Sequence, residues 1–106
     1  MRIDVVGRNM DLTDAIRQYA TAKAGKLDKY LGDKLQMITV RIEPTAPNHK
    51  QEYNVELVLD VEDHADFVSH ATGADPYAAL DLVVEKGERQ LREYKDQLKN
   101  HHHQRP

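Results

Sequence analysis

The sequence predicts an α+β fold of two layers, with element order β-α-β-β-β-α and two helices on one face of a four-stranded sheet. Three observations lead to this prediction. Apolar residues recur at helical spacing in two long segments, whereas apolar and polar residues alternate in others. Glycine and proline stand at the boundaries of these segments. Amphipathic helices and a sheet with one apolar face bury those surfaces by packing as two layers.

The first strand and the first helix are predicted in the first third of the chain. The segment from Arg2 to Gly7 places Ile3 and Val5 on one face and ends in glycine, which is typical of a short strand. Thr13 is predicted to cap a helix that Gly32 ends. The apolar stripe of this helix comprises Ile16, Ala20, Ala24, Leu27 and Leu31.

Two strands are predicted in the middle of the chain. Residues 36–43 alternate between polar and apolar, and residues 53–61 form the longest strict alternation in the sequence. Pro44 and Pro47 are expected to bracket the loop between them, because proline cannot take part in a central hydrogen-bonded ladder.

A turn at residues 62–64 leads into the fourth predicted strand, residues 66–72, which Gly73 closes. The second face of the sheet carries Glu56 and Asp60, and we expect this face to meet water.

The second helix is predicted to begin at Asp75 and Pro76, an N-cap followed by a proline suited to the first turn. Gly87 falls on its apolar stripe, either to permit close backbone approach or as a tolerated weak point that costs about 1 kcal/mol relative to alanine. Residues 1–100 are predicted to form the folded domain, and residues 101–106 a disordered tail. The stripe comprises Tyr77, Leu80, Val84, Leu91, Tyr94 and Leu98.

The composition excludes several classes of protein. The chain contains no cysteine, which excludes disulfides, thiolate metal sites and a cysteine nucleophile. No run approaches the roughly 20 apolar residues that span a bilayer, and the N-terminus lacks the apolar region of a signal peptide. We therefore predict a cytoplasmic protein with no membrane partner.

Charge is distributed unevenly along the chain. The net charge is −3, yet residues 1–51 carry nine Lys or Arg against six acidic residues, and residues 52–75 carry seven acidic residues and no Lys or Arg. Because charges more than about 10 Å apart are screened at ~0.1 M salt, a local basic patch can bind an anionic partner despite the negative total.

No catalytic or metal site is predicted from the residue pattern. Ser69 is the only serine, and His70 follows it directly, so a strand would point their side chains to opposite faces. A group of acidic residues lies near the predicted turn without the spacing of a calcium loop, and no histidine spacing matches a known metal motif. We expect no catalysis, cofactor, metal or small-molecule substrate. The acidic residues near the turn are Asp60, Glu62, Asp63 and Asp66.

The first helix carries a row of basic and aromatic residues beside its apolar stripe. Tyr19, Lys23, Lys26 and Tyr30 follow one another at helical spacing. Ammonium groups neutralise phosphates and rings pack on sugars or bases, so the row suits an RNA backbone. The alternative is structural, with tyrosines flanking the core and lysine stems covering its edge.

The second helix carries two basic groups. Lys86 and Arg89 lie nearer its exposed side, and Arg92, Lys95 and Lys99 share one flank of the apolar stripe. Acidic residues interrupt both groups, so a solvated helix with weak intrahelical ion pairs remains the alternative. If the helices pack side by side, their basic residues are expected to border one groove.

Two motifs resemble those of the ribosome hibernation-promoting factors, a family that includes ribosome-associated inhibitors and sigma-factor modulation proteins. The segment Asp75-Pro76-Tyr77-Ala78-Ala79-Leu80-Asp81, followed by Lys86 and Arg89-Gln90-Leu91, resembles the second-helix signature of the family. Thr21-Ala22-Lys23, Lys26-Leu27 and Tyr30 of the first helix resemble the family as well. The resemblance covers roughly residues 1–100.

This resemblance implies a fold similar to double-stranded-RNA-binding domains and a stress or stationary-phase translation inhibitor. Such a protein binds small-subunit ribosomal RNA in the messenger and transfer RNA channel and blocks translation sterically. The resemblance also implies either the short form of the family or a truncated piece of a longer member. The short form favours paired, inactive ribosomes, whereas a related inhibitor with an extended tail opposes pairing; we expect the isolated domain to be monomeric. Tyr77 and Leu91 carry over only as packing residues. The implied RNA contacts are Lys23, Lys26, Lys86, Arg89 and Lys95, to which the residue patterns add Tyr30, Arg92 and Lys99.

The alternative function is a protein-interaction module that modulates a sigma factor or another partner. The acidic hairpin or an open sheet edge would then recruit that partner. A steep loss of binding with salt would favour the RNA-binding hypothesis.

Overall fold

The sheet and helices of the computed structural model confirm the predicted α+β architecture. The structure describes residues 1–46 and 49–103, with side chains for residues 1–46 and 52–99. Its strands are β1 (Arg2–Gly7), β2 (Leu35–Ala46), β3 (His49–Val61) and β4 (Phe67–Gly73). Its helices are α1 (Asp14–Gly25), α2 (Asp28–Leu31) and α3 (Pro76–His103), with a 3-10 turn at Gly32–Lys34.

The sheet has strand order β1-β2-β3-β4. β1 runs parallel to β2 because α1 and α2 carry the chain back across the sheet, whereas β2, β3 and β4 are antiparallel neighbours. The helices bury one face of the sheet. The fully buried side chains between the two layers include Ile38, Val40, Ile42, Val55, Leu57 and Leu59 from the sheet and Leu27, Leu80, Val83 and Leu91 from the helical layer.

The prediction that a loop begins at Pro44 is wrong. β2 continues through Pro44, and this proline pairs with Tyr53 of β3. β1 ends at Gly7, opposite Ile42, so β2 has no β1 partner beyond that point. A proline without an N–H group is therefore tolerated on this side of the strand. Pro47 lies outside the described residues.

The predicted first helix is divided in two. α1 ends at Gly25, and the N–H groups of Lys26 and Leu27 donate to the carbonyls of Lys23 and Ala24, 3.3 and 3.0 Å away. These bonds span three residues, which tightens the chain before α2 begins. The apolar stripe survives the break because Leu27 remains fully buried. Gly32 ends α2 with a φ of 56°, as predicted for a helix stop.

Both predicted helix caps are present. The Thr13 Oγ1 atom accepts a hydrogen bond of 3.1 Å from the Ile16 N–H. An Asp75 carboxylate oxygen accepts one of 2.9 Å from the Ala78 N–H. These bonds satisfy backbone donors that a helix start leaves without partners.

α3 is the longest helix and continues to His103, past the predicted end of the domain near residue 100. Residues 104–106 of the predicted tail lie outside the described residues. A stacked group of aromatic rings joins α3 to the β3–β4 turn: the His64 ring centroid lies 4.4 Å from Phe67 and 4.6 Å from Tyr94.

Gly87 of α3 is buried against the sheet. A Cβ atom at this position would lie 2.5 Å from Cδ2 of Leu57, which is fully buried. This geometry favours the close-approach interpretation of Gly87, because a side chain there would collide with the core.

Side chains of the helices bond the backbone of both outer strands. Arg17 of α1 donates from Nη1 to the Val5 carbonyl of β1 at 3.0 Å. On β4, Lys86 donates from Nζ to the His70 carbonyl at 2.6 Å, and Gln90 donates from Nε2 to the Val68 carbonyl at 3.1 Å. Carbonyls on the free sides of an edge strand are thereby satisfied.

The second face of the sheet carries polar side chains, including a cross-strand ladder. Glu56 accepts one hydrogen bond of 2.7 Å from Arg41 and pairs with His70 at 3.0 Å. Partial burial raises the pKa of Glu56, but the hydrogen bonds with His70 and Arg41 outweigh it and lower the pKa below its usual value.

Candidate nucleic-acid interface

Four side chains link α1 to α3. The Tyr19 hydroxyl donates a hydrogen bond of 2.6 Å to Oδ1 of Asp81, and the Lys23 Nζ atom lies 3.4 Å from the same oxygen. The Tyr19 ring also meets Tyr77 edge to face, with centroids 5.0 Å apart. Asp81 therefore holds α1 against α3 and is the ion-pair partner of the Lys23 ammonium group.

This link perturbs the protonation of its members. The hydrogen bond from Tyr19, followed by the ion pair with Lys23, lowers the pKa of Asp81 below its usual 3.8. The bond to Asp81 raises the pKa of Tyr19 above 10.0 and that of Lys23 above 10.5. All three shifts favour a charged carboxylate beside a protonated hydroxyl and an ammonium group.

Replacing Asp81 with asparagine is expected to lower the free energy of unfolding at about pH 7. A carboxyl whose folded-state pKa is depressed stabilises the protein above its unfolded pKa, here 3.8, and this contribution is lost as the pH falls through the lower folded-state value. The difference between wild type and Asp81→Asn should therefore shrink at about pH 2.5, measured by urea unfolding. The exposed Glu93, changed to glutamine, is the control, and an Asp81→Asn effect that did not depend on pH would contradict the ion-pair account.

The groove between α1 and α3 contains charges of both signs. Lys23 and Lys26 line one side, and α3 contributes three carboxylates to the other: Asp81, Glu85 and Glu88. The expected groove bordered by basic residues of both helices is therefore not what the packing produces. α3 turns its acidic residues, not its basic ones, towards the lysines of α1.

The basic residues of α3 wind around its exposed side. Lys86, Arg89, Arg92 and Lys95 follow at intervals of three residues, and each step rotates the side chain by about 60° because a helical turn takes about 3.6 residues. Lys86 consequently points towards β4, where it bonds the backbone, whereas Lys95 lies on the opposite side of the helix. We call these four residues, together with Lys99, the α3 cationic spiral.

The members of the spiral differ in their surroundings. Lys86 and Arg89 border a shallow groove along β4. Arg92 lies 3.9 Å from Glu88, one turn earlier, in an exposed pair that contributes little stability. Lys95 and Lys99 are exposed on the distal half of the helix.

Tyr30 is separated from the other members of the predicted row because it belongs to α2. It is half-buried and packs against the hydrophobic core, and the Lys29 Nζ atom lies 5.2 Å from its ring centroid. The structure thus brings Lys23 and Lys26 together and places Tyr30 beside Lys29 instead.

Sequence reasoning missed the role of Asp81 and the position of Lys29. Asp81 lies 62 residues from Tyr19, so no local spacing connects them. Lys29 and Tyr30 are adjacent in sequence, and their contact depends on the short helix α2 that the periodicity did not reveal.

Ser69 and His70 are not placed to act together as a nucleophile and a base. Ser69 is buried, whereas His70 is exposed on the second face of the sheet and bonded to Glu56, so these side chains point apart. Within residues 1–46 and 49–103, no group of three or more His, Cys, Asp or Glu residues is placed to hold a metal ion. No helix in the described part of the chain has the length and apolar character needed to cross a membrane.

Comparison with known proteins identifies relatives over nearly the whole chain. The "Ribosome hibernation promoting factor" of Escherichia coli K12 is 35% identical over 101 residues, which are 95% of this chain and 100% of that protein. The "Ribosome hibernation promotion factor" of Lactococcus lactis is 35% identical over 98 residues, which are 92% of this chain and 51% of that protein. Relatives of two lengths therefore share this domain.

A solved structure agrees with the fold. The N-terminal domain of Thermus thermophilus Protein Y matches with a TM-score of 0.74 and 29% identity, covering 89% of this chain and 99% of that domain. The family model described as "Sigma 54 modulation protein / S30EA ribosomal protein" matches residues 3–99. The resemblance in the two helical motifs is thereby confirmed, and the chain belongs to the sigma 54 modulation protein / S30EA ribosomal protein family.

Proposed function

We propose that this protein is a ribosome hibernation factor that binds small-subunit ribosomal RNA in the messenger and transfer RNA channel. Occupancy of the channel blocks translation sterically, so the action needs no catalysis, cofactor or small-molecule substrate. The protein acts in the cytoplasm, where ribosomes lie, as a monomer made under stress or in stationary phase, and it favours the pairing of inactive ribosomes.

The observation that carries this proposal is the match to ribosome hibernation factors along nearly the entire domain. The Escherichia coli relative is covered over its full length, so the similarity is not limited to one motif or one helix. The segment that the family model matches, residues 3–99, includes α1, α3 as far as Lys99 and all the basic residues assigned above.

The arrangement of cations supports a channel as the binding place. Because the α3 cationic spiral winds around the helix, Lys86 and Lys95 point in opposite directions. A single flat RNA surface would meet only part of this spiral, whereas RNA on two sides of the protein would meet more of it. A protein inserted between RNA walls makes use of both sides.

The residues proposed to contact RNA lie in two patches. One contains the α1 lysines, Lys23 and Lys26, and the other is the α3 cationic spiral. Tyr30 lies apart from the first patch, beside Lys29 of α2, and is proposed as a separate contact. Arginine and lysine neutralise phosphates without reading sequence, so we assign both patches to the RNA backbone.

A sigma-factor modulator is the second candidate, and the family description itself favours it by including the sigma 54 modulation proteins. Such an activity requires a protein partner in place of RNA. Co-purification with a sigma factor and without ribosomes would favour this candidate.

Sedimentation of cell lysate through a sucrose gradient is expected to place the protein with 30S subunits and paired ribosomes. Phosphate-led binding should weaken steeply between about 50 and 200 mM salt. The peak of paired ribosomes should decrease in cells that lack the protein.

Changing Lys23 and Lys26 to glutamate should reduce the fraction of the protein that sediments with 30S subunits. Full binding by the double variant would contradict the assignment of the α1 patch.

A further inference from the structure

Two carboxylates of α3 lie between the two cationic patches. Glu85 and Glu88 line the α1–α3 groove beside Lys23 and Lys26. The same two residues also line the outer surface of α3 beside Lys86, Arg89 and Arg92. They therefore lie between the α1 lysines and the spiral members Lys86, Arg89 and Arg92, and we call them the acidic divider.

The ion pair that Glu88 makes with Arg92 is long and exposed. Glu88 lies 3.9 Å from Arg92, with 37% of its side chain exposed. Lys23, the half-buried lysine of the groove, pairs with Asp81 at 3.4 Å. An anionic ligand that crosses this surface therefore meets carboxylates on its way from one patch to the other.

This arrangement penalises ligands according to how their phosphates are spaced. A continuous single strand carries a phosphate at every nucleotide, so a strand that joins the α1 lysines to Lys86 and Arg89 must lay phosphates against Glu85 and Glu88. Folded RNA can present separate phosphate clusters to the two patches and leave the divider in contact with solvent. Like-charge contacts of this kind suppress wrong partners more than they weaken the right one.

We infer that Glu85 and Glu88 are specificity-determining residues that select folded RNA with separated phosphate clusters over unstructured single strands. The inference rests on the proposed function for the class of ligand. It gives a role to the acidic residues that interrupt the basic groups of α3, in a protein with a net charge of −3.

The test compares two RNA probes with matched charge variants. We expect Glu85→Gln with Glu88→Gln to raise the affinity for poly(U) on the order of tenfold at about 0.1 M salt, and that for purified 30S subunits less than about threefold. The control variant, Glu62→Gln with Asp63→Asn, removes the same charge from the β3–β4 turn. It should change the ratio of the two affinities little. Thermal unfolding checks both variants, and Glu85→Gln alone replaces the pair if folding is impaired.

Two results would separate the failure of this inference from that of the proposed function. If the wild type binds 30S subunits, the divider variant tests the inference alone. The inference would be overturned if the affinity of that variant for poly(U) were unchanged, or were raised by the same factor as its affinity for 30S subunits. Failure of the wild type to bind 30S subunits would overturn the proposed function, and with it the inference that the divider selects ribosomal RNA.

Discussion

Changing Arg89 and Lys95 together to glutamate is expected to weaken binding to 30S subunits on the order of 100-fold at about 0.1 M salt. The two side chains point to different sides of α3, so the double variant removes a cation from each side of the spiral and places an anion there. Each lost phosphate contact should also reduce the slope of log affinity against log salt by about one. Filter binding across a salt series measures both quantities.

The control for this prediction carries the same change of charge elsewhere. Arg2 and Lys34 are exposed residues outside α3, on β1 and in the 3-10 turn. Changing both to glutamate should weaken binding less than about fivefold, through the general field of the protein alone. Equal losses in the two double variants would show that net charge, and not the α3 cationic spiral, governs binding.

Changing Gly87 to valine is expected to lower the free energy of unfolding by about 2 to 3 kcal/mol. The first added carbon would lie 2.5 Å from Leu57 Cδ2, and the valine methyls would approach Leu59 and Leu27, all of them buried beneath α3. The core must shift to admit them, and a close-packed interior yields little. Urea unfolding followed by circular dichroism measures the loss.

Two further substitutions separate packing from helix propensity. Gly87→Ala adds one carbon, so a gain in helix propensity of about 1 kcal/mol partly offsets the collision. Gly25 of α1 offers the matched case, because a Cβ atom there meets only Ile3 Cδ1, at an ordinary 3.8 Å. Gly25→Ala should stabilise the protein by about 0.5 kcal/mol. A Gly87→Val protein as stable as the wild type would rule out the close packing described above.

The element order and the core were predictable because they depend on local patterns. Alternation located β1, β2 and β3, and the capping residues Thr13 and Asp75 located the starts of α1 and α3. The break after Gly25 was not predictable, since the apolar stripe continues at the same spacing on both sides of it. The end of β2 was predicted too early, at Pro44. A strand tolerates proline there only because the neighbouring strand β1 has already ended.

The candidate site was predictable only as a set of residue types. The spacing of Lys23 and Lys26 placed them near each other, but which side of α3 faces them depends on how the helices pack. That packing brings Asp81, Glu85 and Glu88 to the groove and leaves the basic residues outside it. Which face of a helix meets its neighbour depends on tertiary packing, and the residue pattern of one helix does not specify it.

The bonds from Arg17, Lys86 and Gln90 to the outer strands bear on how readily copies of this protein aggregate. Carbonyls already bonded by side chains are poor templates for a strand from another copy, and a long charged side chain obstructs its approach. We expect the protein to resist fibril growth even when concentrated, and Lys86→Ala to aggregate sooner than the wild type.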